Sequence, residues 1–168
     1  MRYLFLSLSA LILLILNCTM SPNIPVFGVQ MDFILLGLTG VVFFEDSLSS
    51  IWYSMIGVAV MDVFFARTYG FYALQYLVAV MVFYIITRKK KKKIEIYEAG
   101  LLASYLVREI TGVLICFLSD NPVNLWERML HVTLKGIVIH AILGLLIYYI
   151  YRKAYEQRLI RPTNLDID

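Results

Sequence analysis

Charged side chains are scarce in this sequence: Asp, Glu, Lys and Arg supply 16% of its 168 residues, against 61% hydrophobic residues and a mean hydropathy of +0.78. A soluble domain carries about 25% charged residues, so this chain has too little polar surface to cover an apolar core in water. Metal ligands are equally sparse. Cys18 and Cys116 lie far apart, only His131 and His140 could join them, and the set lacks metal-ligand spacing. Two thiols are expected; a disulfide stays open because both cysteines fall near span ends facing the same side. The GxSxG, P-loop, GxGxxG and HExxH signatures are absent. The sequence therefore makes no case for an enzyme, a cofactor or a metal. A formal net charge of only +3, with no aromatic residues interleaved in the basic run, also speaks against a nucleic-acid partner.

What is abundant is long apolar sequence. Runs near Tyr3 to Met20, Phe27 to Phe44, Ile51 to Ala66, Gly70 to Thr87, Tyr97 to Leu118 and Met129 to Tyr151 are separated by turn residues or charge clusters. A spanning helix needs about 20 apolar residues, so six spans use nearly the whole chain. The expectation is an all-α integral membrane protein: one six-helix transmembrane domain over residues 1–151, then a short polar tail over 152–168. The hairpins at Glu45-Asp46 and Arg67-Thr68-Tyr69 are tight, which keeps four full spans plus irregular helices as the structural alternative. The apolar run Leu4 to Leu16 is followed by no small-x-small cleavage site, and Asn17 before Cys18 does not suit a lipoprotein anchor. It reads as a retained first helix.

Orientation follows from the basic residues, which stay on the cytoplasmic side. With both termini cytoplasmic, Arg2, Arg88, Lys89, Lys90, Lys91, Lys92, Lys93, Arg152, Lys153, Arg158 and Arg161 all lie inside, and only Arg67 and Arg128 flank the outer face. The Glu45-Asp46 loop falls inside by parity. The run Arg88 to Lys93 reads first as a topology determinant. Attraction to anionic headgroups, at about 1 kcal/mol per basic residue near the surface, or to a cytoplasmic partner is its functional reading.

Ionisable groups inside spans should face other helices or a polar cavity. Here they are Asp32, Asp62, Arg108, Glu109, Lys135 and His140, with Gln30 nearby. The topology puts Asp32, Asp62 and Arg67 in the outer third, where structural pairing is favoured over acid–base chemistry. Arg108 and Glu109 are neighbours, about 100° apart on a helix, so separate partners are expected. A Glu109–Lys135 pair is favoured, with Arg108 turned to a polar cavity, another helix or a bound partner. Small residues at spacing four (Ala99 with Ala103, Gly100 with Ser104, and Gly136 with His140 and Gly144) suit close packing between helices within the chain.

The stretch Gly57 to Leu77, GVAVMDVFFARTYGFYALQYL, combines a glycine, Asp62 five residues on, an outer turn, and then Gly70, Ala73, Leu74 and Tyr76. It resembles the MreD family, small membrane proteins of the bacterial rod-shape machinery. Pro22 and Pro25 ahead of Gln30 and Asp32, the basic central loop and the polar tail resemble that family too. The resemblance implies a multi-pass protein of the bacterial cytoplasmic membrane with an S-component-like bundle. It would be a non-enzymatic scaffold that binds MreC and helps link MreB filaments to the peptidoglycan synthases RodA and a class B penicillin-binding protein. A groove for the single membrane helix of MreC would then lie on the third and fourth helices, around Asp62, Arg67, Tyr69 and Gly70.

Energy-coupling-factor vitamin transporters have six-helix S components of similar fold, which supply the alternative function. Their docking stripe of small residues on helix one is poorly matched here, since Ser7, Ser9 and Ala10 have no small partner four residues away along that stripe. An intramembrane enzyme using Asp32 and Asp62 is the third class.

Overall fold

The computed structural model describes residues 2–23, 25, 28–45, 48–65, 70–88, 90, 92–118 and 132–156. Among these the chain is all helical: α1 Arg2–Asn23, α2 Phe33–Glu45, α3 Leu48–Phe65, α4 Phe71–Thr87, α5 Ile94–Leu118 and α6 Leu134–Glu156. α2 is apolar all round, FILLGLTGVVFF before Glu45, and such a helix is stable only when surrounded. Every residue from Ile34 to Glu45 is buried. α1, α3, α4, α5 and α6 all pack on it, and its outer neighbours touch in the order α1, α3, α4, α5, α6.

Two glycines let the surrounding helices come close. A Cβ on Gly37 would overlap Leu13 of α1, and one on Gly40 would sit 2.9 Å from the Tyr151 ring of α6. The small-residue faces read from the sequence also pack within the chain. Gly100 abuts Phe83 and Thr87 of α4, while Gly136 and Gly144 abut Tyr105 and Leu101 of α5. Ala99 is exposed and Ala103 half-buried.

The helix boundaries differ from the apolar runs most at α2. Its run was expected from Phe27, but residues 28–32 are not helical: Gly28 takes a left-handed φ of 80° and Asp32 caps the helix. The remaining 13 residues are about 20 Å long at 1.5 Å per residue, short of the ~30 Å hydrocarbon layer. α2 is thus the buried axis of the bundle. α5, with 25 residues, and α6, with 23, are long and apolar enough to cross a membrane; α2, α4 and Leu8–Thr19 of α1 are shorter apolar helices.

Large apolar side chains face outward from all five surrounding helices. They include Leu11 and Ile15 of α1, Trp52 and Val63 of α3, Leu74 and Ile85 of α4, Leu114 and Phe117 of α5, and Ile142 and Leu146 of α6. Exposed apolar side chains of this number and size suit hydrocarbon better than water.

The C-terminal end of α2 is held by aromatic rings. Phe43 makes edge contacts with Phe44, Phe83 and Tyr97 at centroid distances of 5.3, 6.2 and 5.3 Å, and Tyr148 tilts against it at 6.1 Å. Tyr97 Oη lies 3.3 Å from Thr39 Oγ1, so a buried phenol keeps a polar partner. Lys92 enters this cluster. Its Nζ donates to the Phe43 carbonyl, one of those left open at a helix C-terminus, and lies 4.8 Å from the Phe43 ring centroid. Tyr148 Oη in turn donates to the Lys92 carbonyl at 3.0 Å. One lysine of the basic run is therefore a helix cap. Lys90, Lys93 and Arg88 are exposed, Arg88 with its guanidinium 5.5 Å from the Tyr84 ring centroid. Lys89 and Lys91 lie outside the described residues, as do Arg128, Arg158 and Arg161.

Nearby, Glu98 of α5 has a buried Oε1 without a hydrogen-bond partner, lying 3.0 Å from where a Gly144 Cβ would stand. Charge is costly to desolvate and no partner would be lost on neutralising it. Glu98→Gln is expected to change stability by between zero and a gain of about 1 kcal/mol. Unfolding in detergent, followed by circular dichroism, checks this, and a clear loss would reveal a compensating group.

Candidate functional site

The N-terminus of α2 is the polar centre of the molecule. Asp32 is 4% exposed, and its carboxylate caps the helix, with Oδ1 accepting from the Leu35 N–H at 2.9 Å. Tyr76 Oη of α4 donates to the same carboxylate, 2.9 and 2.8 Å from its two oxygens. Arg108 Nε of α5 lies 2.8 Å from Oδ2, off the line of its N–H, so the contact is Coulombic rather than a directed hydrogen bond. The Arg108 guanidinium also stands 5.4 Å from the Tyr76 ring centroid.

The backbone at this point is equally engaged. The Asp32 N–H donates to His140 Nε2 of α6 at 3.1 Å, and the Phe33 N–H donates to Asn17 Oδ1 of α1 at 3.1 Å. Because Nε2 accepts, His140 Nδ1 carries the proton and donates to the Gly136 carbonyl at 2.8 Å; the ring is a neutral imidazole. Tyr105 stacks on it at 4.3 Å. Two consecutive residues thus tie α2 to α1, α4, α5 and α6, satisfying N–H groups that a buried helix start would otherwise leave open.

Glu109 corrects an expectation. Arg108 Nη1 lies 2.8 Å from Glu109 Oε1, so the two neighbours pair with each other, and the expected Glu109–Lys135 pair does not form. Lys135 is exposed and stands outside the cluster, while Glu109 is buried. The 100° separation applies to Cα–Cβ directions; the long guanidinium side chain reaches around it. Arg108, shared between two carboxylates, is turned inward to α2 rather than left for a partner.

Asp62 does not share the Asp32 partners. It is buried near the end of α3 and accepts the Gly70 N–H at 2.5 Å and the Tyr72 N–H at 3.2 Å. Gly70 adopts φ 90°, a left-handed conformation that glycine takes without a Cβ penalty, and has no side chain to cap α4 itself. The preceding helix supplies the cap, fixing the α3–α4 hairpin. Arg67 and Tyr69 of the same turn lie outside the described residues. Removing these acceptors with Asp62→Ala is expected to cost about 0.5–2 kcal/mol, with Asp62→Asn milder. Unfolding midpoints of the two variants in detergent measure it; equal losses would remove the capping explanation.

The sequence marks His140 as an intramembrane group within reach of Glu109, whereas its hydrogen bonds are with the Asp32 N–H and the Gly136 carbonyl; nothing in the sequence ties Tyr76 and Asn17 to the start of α2. Polar types at buried-face spacing were the only signal for them, and Tyr76 falls within the Gly57–Leu77 stretch. Cys18 and Cys116 carry thiols and share no disulfide. Among the described residues no three His, Cys, Asp or Glu side chains are grouped to hold a metal. Chemically the described groups of the cluster serve one another: the Asp32 and Glu109 carboxylates receive protein groups, and the imidazole is used on both nitrogens. No family model, curated protein or solved structure matches this chain.

Proposed function

We propose that this chain is a non-enzymatic, multi-pass scaffold of the bacterial cytoplasmic membrane, of MreD type, serving the cell-elongation complex. In this reading the helices cross six times with both termini cytoplasmic, α2 crossing inside the bundle. The body binds MreC and helps couple MreB filaments to RodA and a class B penicillin-binding protein. The observation that carries it is the use of the polar residues. Asp32 ties α2 to Tyr76 of α4 and Arg108 of α5, Glu109 pairs with Arg108 within α5, and Asp62 with Gly70 locks the hairpin within the stretch that resembles the family. A body rigidly pinned from inside, with apolar outer faces, is suited to docking other membrane helices. Exposed Arg88, Lys90, Lys93, Arg152 and Lys153 at one end support the cytoplasmic assignment of that end.

The proposed MreC surface is the outer face of the α3–α4 hairpin, where Val63 and Leu74 are exposed. Purification in mild detergent with photocrosslinkers at these two positions tests it. An MreC-like protein captured at both is the expected result. A copurifying vitamin or transporter ATPase would replace this reading by the S-component one. Activity in vesicles, lost in a folded Asp32→Asn variant, would replace it by an enzyme.

A further inference from the structure

A cleft of about 270 Å³ opens on the side of the bundle between α1, α2 and α3. Its walls are apolar, with Leu13, Leu38, Val41, Ile56 and Val60 among them, and its polar groups are the hydroxyls of Ser9 and Tyr151, which hydrogen-bond to each other at 3.3 Å. Gly57 of α3 also lines it, and among the described residues a Cβ added there would meet nothing within 4 Å, unlike one at Gly136 or Gly100. A mid-helix glycine is unfavourable relative to alanine, so the open space at Gly57 points to an occupant from outside.

Chemistry selects the occupant. A single hydrocarbon chain matches the apolar walls, whose two hydroxyls are already bonded to each other. Charge selects its kind. Tyr151, which closes the cleft on α6, is followed directly by exposed Arg152 and Lys153, at the end of the bundle that also carries exposed Arg88, Lys90 and Lys93. Glu156 engages Arg152 at 2.8 Å, leaving Lys153 the nearer uncommitted cation. Anionic headgroups complement such an end.

We infer that the cleft holds one acyl chain of an anionic phospholipid from the inner leaflet, its headgroup at the basic end beside Tyr151. The inference rests on the membrane reading above. Native mass spectrometry of the full chain, incubated in micelles with dioleoyl phosphatidylglycerol or dioleoyl phosphatidylcholine, tests it. One phosphatidylglycerol is expected to be retained, at least fivefold over phosphatidylcholine. Gly57→Phe, filling the cleft, is expected to lower that retention at least tenfold, and Gly57→Ala to keep it. Lys153→Gln is expected to shrink the headgroup preference without abolishing lipid retention. Should Gly57→Phe fail to fold, Val60→Trp fills the same space from the rim. Wild-type retention in a folded filling variant, loss in Gly57→Ala, or no preference between the two lipids overturns the inference. Failure of the chain to insert into vesicles of either lipid overturns the membrane reading with it, whereas insertion with unselective retention overturns this inference alone.

Discussion

Arg108→Met is expected to destabilise the bundle by about 3–5 kcal/mol, the range for removing one partner from a buried ion pair. The arginine is the cation between Asp32 and Glu109, 2.8 Å from an oxygen of each, and both carboxylates are buried. Methionine fills a similar length but leaves two carboxylates without their shared counter-charge. The magnitude separates this from ordinary polar packing. Interhelical hydrogen bonds inside membranes average about 0.6 kcal/mol in double-mutant cycles, so a loss several times larger signals desolvated charge.

The second half of the test is rescue. Asp32→Asn keeps an oxygen able to accept from Leu35 and Tyr76 while discarding the charge. The double variant Asp32→Asn with Arg108→Met is therefore expected to recover at least about 1 kcal/mol relative to Arg108→Met alone. Chemical unfolding in micelles, followed by circular dichroism for all four proteins, measures the coupling. Simple addition of the two single losses would show that the arginine acts through packing.

Much of this architecture is legible in the composition of its segments, and the remainder depends on reach and register. The all-round apolar sequence of α2 has the pattern of a surrounded helix, and its burial from Ile34 to Glu45 follows. Hydropathy cannot mark where such a helix begins, because residues 28–32 are held in a non-helical approach by Gly28 and the Asp32 cap. Asp32, Asp62, Arg108, Glu109 and His140 stand out as polar residues in apolar runs, yet their partners do not. Asp62 finds its donors eight and ten residues later, across a turn. Asp32 meets His140 only because α6 packs on α2, a contact 108 residues apart in sequence. Lys92 is indistinguishable from its lysine neighbours until the fold places the α2 C-terminus beside it.

The α5–α6 seam offers the sharpest test of close packing. Gly136 stands directly against the Tyr105 hydroxyl, so that a Cβ there would occupy the same space. The tyrosine cannot simply swing aside, because it is 1% exposed and its ring stacks on His140, whose Nδ1 donates to the Gly136 carbonyl. Gly136→Ala is thus expected to push on the ring that holds the head of α2, at about 1–3 kcal/mol, the usual cost of overpacking. That outweighs the gain of up to about 1 kcal/mol from replacing a helical glycine by alanine. Tyr105→Phe removes the nearest atom but leaves the ring carbon Cζ 2.7 Å from that Cβ, so the double variant is expected to regain part of the loss and not all of it. Thermal unfolding of the two single variants and the double variant in one detergent would decide it. If Gly136→Ala were as stable as the parent, the seam would have to be looser than this contact requires, and the link between it and the Asp32 cluster would fail with it.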